Sequence, residues 1–174
     1  MQQIWTIGHS THPAEYFEEI LESHSIEAIA DVRAYPSSRR YPQFNKDALS
    51  QSLNRIGIGY YHFSNLGGRR HGKRDSRNTA WKNASFRAYA DYMETEDFRQ
   101  GIESLLRVSQ AQRVAVMCAE AVWWRCHRSL ISDYLKAEGV KVIHIIDEKK
   151  TQEHPFTSAA SIVDGKLSYG GLFR

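Results

Sequence analysis

The sequence predicts an α/β protein, a single-domain three-layer sandwich with a mostly parallel sheet of about five strands spanning residues 1–174. Two observations carry this expectation. Short apolar runs rich in Val and Ile alternate with longer stretches whose apolar residues recur at helical spacing. A polar or reactive residue also follows each of the five apolar runs, which is how binding groups are laid out at the carboxyl edge of a parallel sheet.

The elements follow in order. IWTIG (residues 4–8) reads as the first strand, and residues 13–23 as a helix with Tyr16, Phe17, Ile20 and Leu21 on one face. IEAIADV (26–32) is the second strand. Asn45 stands where an N-cap would for a helix over 46–56, which Gly57 ends. IGYYHF (58–63) is the third strand, followed by a basic, glycine-containing loop or lid over 67–80 and helices near 85–93 and 97–108. Residues 114–118 form the fourth strand, 127–138 a helix closed by Gly139, and VKVIHII (140–146) the fifth strand. The tail, 151–174, holds an Asp164-Gly165 hairpin signal.

A chain of 174 residues is long enough to bury a substantial core. Its 41% apolar and 25% charged residues are ordinary for a soluble globular protein. No apolar stretch approaches the ~18 residues of a membrane span, and no signal segment opens the chain, so a cytoplasmic setting without membrane contact is expected. Two cysteines cannot build a disulfide framework. In a reducing compartment such thiols are free, metal-bound or catalytic.

The net charge of +3 conceals an asymmetry: residues 33–87 hold 12 Lys/Arg against 2 Asp/Glu, and the rest 11 against 18. A positive middle on an acidic body suits an anionic partner such as phosphate, nucleotide or nucleic acid. The same residues would equally serve as a solvated surface, or pair with the acidic part of this chain or a second subunit.

The strand exits supply the candidate site: His9-Ser10, Asp31 with Arg33, Asn65 with Gly67-Gly68, Cys118 with Glu120, and Asp147. Cys126 would sit at the start of the last helix, where the helix dipole, Arg125 and Arg128 favour thiolate. A thiolate at Cys126 or Cys118 would be a nucleophile, with His9 or His127 as acid or base and Glu120 orienting or carrying a proton. Arg33, Arg39, Arg69, Arg70 and Arg128, with Ser10 and Asp31, would hold an anion or a ligand hydroxyl. Asp31 could alternatively grip Arg33 or Arg128. Gly8 allows close backbone approach to a ligand, and Ser10 or Thr11 could cap the first helix. Tyr35, Tyr41, Phe44 and Trp81 interleave with the basic residues in a way that suits base stacking, or packing beneath a loop. Tyr89 and Tyr92 read as helix packing residues.

The same atoms admit a metal reading, with Cys118, Cys126 and His127 or His9 holding zinc and a fourth position left for water. The spacing does not match the usual paired ligands. A third reading has no chemistry at all: an accessory module that binds nucleic acid through its arginines.

Four ordered blocks carry a resemblance: TIGHS (6–10), DVRAYPSSRRYPQFN (31–45), LGGRR (66–70) and CAEAVWWRCHRSLI (118–131). Together they resemble the family of small bacterial and archaeal proteins known as domain of unknown function 488. Members often carry a proline between the two cysteines, where this chain has Ala121-Val122-Trp123-Trp124. The resemblance implies a family without an established reaction, and it points to residues already chosen by position.

Overall fold

The computed structural model describes residues 2–171, so residues 172–174 of the tail lie outside the described residues. The elements are β1 (Gln3–Gly8), α1 (Ala14–Ser23), β2 (Ala28–Asp31), α2 (Lys46–Arg55), β3 (Gly59–His62), α3 (Ala84–Tyr92), α4 (Glu96–Ala111), β4 (Val114–Cys118), α5 (Arg128–Ala137) and β5 (Lys141–Ile145). Three short strands close the chain: β6 (Thr151–Glu153), β7 (Ser161–Val163) and β8 (Lys166–Ser168).

Successive side chains of a strand point to opposite faces, and here both faces are apolar. Ile4, Ala28, Ala30, Val114, Val116 and Val142 pack with α3, α4 and α5 through Tyr89, Phe98, Ile102, Leu130 and Leu135. Their neighbours Trp5, Ile7, Ile29, Ala115, Met117 and Ile143 pack with α1 and α2 through Phe17, Ile20, Leu21, Leu49 and Leu53. The result is a three-layer α/β sandwich.

The sheet has six strands in the order β3-β2-β4-β1-β5-β6. The first five pair in parallel. The sixth, β6, runs antiparallel to β5 and adds a strand to the five expected. It is invisible in sequence because Thr151-Gln152-Glu153 is exposed throughout. The predicted hairpin forms as β7 and β8, with Asp164 (φ 51°) and Gly165 (φ 76°) both left-handed at the turn.

From β1 the chain leaves toward β2, on one side of the sheet; from the adjacent β4 it leaves toward β5, on the other. Departures in opposite directions open a crevice at the carboxyl ends of these two strands. Gly8 and Cys118 are register partners there.

One expected cap does not form: Pro13 occupies the N-cap of α1 and no side chain caps it, so neither Ser10 nor Thr11 plays that part. Asn45 does occupy the N-cap of α2, but its side-chain oxygen accepts from the Ser38 amide and ties the 31–45 loop to itself in place of the helix. No helix among the described residues is long and apolar enough to cross a membrane.

Candidate functional site

A cleft of about 660 Å³ lies over the crevice, lined by His9, Ser10, Arg33, Tyr35, Ser37, Ser38, Tyr41, Gly68, Arg69, Glu120 and His127, with Cys118 and Cys126 at its floor. Four of the five strand exits thus contribute to one place. The fifth does not: Asp147 accepts the Lys149 and Lys150 amides in the β5–β6 turn. Asn65 is also elsewhere, donating to the Asp97 carbonyl, so Gly68 represents the third exit.

The two free thiols touch, with Sγ–Sγ at 2.8 Å. Cys126 sits just before α5, and its sulfur accepts the Arg128 amide at 3.2 Å, the position an N-cap oxygen usually fills. Burial pushes the Cys126 thiol up, but the Cys118 hydrogen bond and the Arg128 guanidinium outweigh it and bring its pKa to about 7. Burial pushes Cys118 well up, and its partner adds to the shift. Cys126 is therefore the more acidic of the two, and on ionisation the Cys118 thiol is placed to donate to the Cys126 sulfur.

Arg128 is only 1% exposed. Its Nη2 donates to the Glu120 carbonyl at 2.8 Å and its Nη1 to Thr6 Oγ1 at 3.1 Å, while among the described residues Nε has no partner. No carboxylate pairs with it among the described residues. Cys126, once ionised, is the anion placed to answer this buried cation. Arg128 is thus a support beneath the sulfurs and not an arm reaching into the cleft.

Thr6 opens a buried chain of hydrogen bonds that the sequence did not single out. The Thr6 hydroxyl accepts from Arg128, so its own proton goes to His144 Nδ1. His144 Nε2 then donates to His154 Nδ1 at 2.8 Å, and His154 Nε2 donates to Asp133 at 2.8 Å. Asp133 is completed by the Tyr169 hydroxyl at 2.7 Å and the Thr157 hydroxyl at 2.6 Å. Burial holds His144 far below its ordinary pKa, so it stays neutral. A signal was present: Thr6 and His144 are polar residues in the middle of apolar strands.

The other expected residues divide. His9 stacks on Phe44, donates from Nδ1 to the Ser10 carbonyl at 2.8 Å, and leaves Nε2 toward Arg33 at 3.4 Å. Burial lowers its pKa to about 4. His127 donates from Nε2 to the Val32 carbonyl at 2.9 Å, and burial lowers it to about 4 as well. Both imidazoles are neutral at neutral pH. The zinc set of Cys118, Cys126 and His127 does not assemble, because His127 turns its Nε2 to Val32, and no metal-holding group of three ligands occurs among the described residues.

Asp31 grips Arg33 through Nε at 2.9 Å and Nη2 at 2.7 Å, and Tyr60 also donates to it. Burial tends to depress the Arg33 pKa, but Asp31 reverses this and raises it. Asp31 thus holds an arginine in place and does not face the cleft. Arg69 stands at the rim over the Tyr35 ring at 5.3 Å. Arg70 turns away, donating to the Ser64 and Gly67 carbonyls and lying 3.6 Å over Tyr92. Arg39 is exposed outside the cleft lining. The Glu120 carboxylate is exposed at the mouth; its carbonyl does the visible bonding.

Gly8 does permit a close approach, but to the chain itself: a Cβ there would sit 1.6 Å from the Glu120 carbonyl oxygen. Ser10 has left-handed φ at 51°, a strained conformation of the kind that gathers at sites. The basic loop is tied down, because buried Asp91 accepts the Lys73 amide, the Ser76 hydroxyl and the Asn78 amide group. Trp81 packs edge-on against Phe86 and Tyr169, and Phe44 is fully buried, so neither offers a free stacking face. Tyr89 and Tyr92 bond the Leu66 and Asn65 carbonyls as packing residues.

Fold and site together define an α/β protein with a buried arginine-supported thiol pair at the switch point of its sheet. The chain belongs to the family described as Domain of unknown function DUF488, which matches residues 13–135. Comparison with curated proteins and with solved structures finds no match.

Proposed function

We propose that the protein is a thiol-dependent enzyme acting on a phosphate-bearing substrate, a nucleotide or a nucleic-acid end, with Cys126 as nucleophile. The observation that carries this reading is the Cys126 sulfur at the cleft floor, in contact with Cys118 and accepting from the head of α5 above a buried arginine. A thiolate is the reactive form of cysteine, and a thiol with a pKa near ambient pH combines ionisation with nucleophilicity.

The roles divide by chemistry. Cys118 donates to the thiolate. His127, neutral, is held beside the sulfurs by its Nε2 bond to the Val32 carbonyl. Arg69, Ser37, Ser38 and Ser10 supply cation and hydroxyls for phosphate oxygens, while Tyr35 and Tyr41 offer ring faces to a base. Arg33 contributes less charge than its identity suggests, since Asp31 neutralises it.

The test is alkylation of Cys126 by iodoacetamide across pH, followed on the proteolytic peptide. A midpoint near pH 7 is expected, together with slowing by inorganic phosphate and more strongly by nucleoside monophosphates. Cys126→Ser abolishes turnover while retaining ligand. A midpoint near the ordinary value of about 8.5, or no protection by any phosphate compound, defeats the reading. Salt-dependent oligonucleotide binding lost in Arg69→Ala, with no phosphate-dependent change at the thiols, supports a binding module instead.

A further inference from the structure

We propose that Cys118 and Cys126 form a reversible dithiol–disulfide couple that exchanges with external disulfides through the cleft. Three observations converge on it. The sulfurs lie 2.8 Å apart, against about 2.05 Å in a bond, so little movement joins them. Both line the cleft, so an incoming disulfide meets them from one side. And Arg128 lies beneath them, buried, with its Nε unpartnered and no carboxylate to neutralise it among the described residues.

The steps balance. Cys126 thiolate attacks one sulfur of a low-molecular-weight disulfide, forming a mixed disulfide and releasing one thiolate. Cys118 gives its proton to that leaving thiolate and attacks Cys126 Sγ. The mixed bond breaks, the second thiolate leaves and takes up a solvent proton, and the protein holds a Cys118–Cys126 disulfide. The external disulfide is reduced by two electrons and the cysteine pair oxidised by two.

Arg128 sets which side is favoured. In the dithiol state it faces a thiolate, whereas in the disulfide state it is a buried cation without an anion, an unfavourable arrangement. Stabilising the reduced form makes a couple oxidising and its disulfide easily reduced. This is a reactive disulfide and not a structural one. The inference rests on the thiolate reading of Cys126 above, but it needs no phosphate ligand.

The experiment is equilibration of the full chain with graded ratios of reduced and oxidised glutathione, acid quenching, and mass spectrometry of the intact protein and its peptides. The expected product has lost two hydrogens and links Cys118 to Cys126. Cys118→Ser stops at glutathione bound to Cys126. Arg128→Met shifts the equilibrium toward disulfide by about tenfold or more. Thr6→Val, a near-isosteric change that removes one Arg128 hydrogen bond and leaves the cation more dependent on the thiolate, shifts it the opposite way, toward dithiol, and keeps the test available if the arginine variant does not fold. Thiols that persist in oxidised glutathione, or a mixed disulfide that never advances in the unaltered protein, overturn the couple. A low alkylation midpoint at Cys126 without disulfide formation sinks the couple alone; an ordinary midpoint sinks the nucleophile reading.

Discussion

Asp31 shows how one residue can be placed at a site without touching a ligand. It is fully buried and receives Arg33 from three nitrogens and Tyr60 from its hydroxyl. The arginine is thereby held with its Nη1 facing His9. Asp31→Asn keeps the shape but leaves Arg33 a buried cation facing a neutral amide, a change that costs roughly 3–5 kcal/mol. Denaturant unfolding should show this loss in midpoint with an unchanged slope. At this scale sequence and structure agree on which residue types gather, but not on their tasks. The Arg side chains look alike in sequence, yet Arg128 supports sulfurs, Arg33 is neutralised, Arg70 clamps carbonyls and Arg69 stays at the rim. Only burial and partner identity separate them, and neither is written in the local sequence.

At the scale of elements, β1, β4 and the segment after β4 form one unit. Gly8 lies against the Glu120 carbonyl, Ser10 donates its amide to Ala119, and His9 donates its amide to Cys118. These contacts hold the 119–125 segment so that Cys126 returns to Cys118. Gly8→Ala would push a methyl into the Glu120 carbonyl, where both atoms belong to backbone and cannot turn aside. Overpacking of this kind costs upwards of about 3 kcal/mol, and it should also slow Cys126 alkylation by separating the sulfurs. Thermal unfolding and the alkylation rate measure the two effects. Strands as apolar as Val114–Cys118 were legible because burial on both faces leaves a continuous apolar run. β6 was not, since an exposed edge strand of three residues has neither alternation nor apolar content. The Thr6–His144–His154–Asp133 chain was hidden for another reason. Thr6 and His144 become partners through the parallel register of β1 and β5, a pairing across 138 residues that no local spacing reveals.

For the whole molecule, the neutral histidines set the acid limit. His9 is buried with a pKa near 4 in place of the usual 6.5, so below pH 6.5 the unfolded chain binds a proton that the folded chain does not. Stability is therefore complete above pH 6.5 and falls as the pH drops toward 4. The loss from His9 alone reaches about 3 kcal/mol, and His127 adds a loss of the same sign. Urea midpoints recorded between pH 7 and 4 should fall steadily, and His9→Gln should flatten the profile. This dependence was beyond the sequence, which shows eight histidines but not which of them are enclosed. What the sequence did make legible at this scale was the alternation of strands and helices, and through it the edge where the thiols lie.

The sheet ends in four residues of β3 on one side and three of β6 on the other, beside a centre buried on both faces. Short margins give another chain little backbone to template upon. The molecule can therefore keep a deep parallel interior, normally an aggregation hazard during folding, while presenting no long ribbon among the described residues on which fibres could grow.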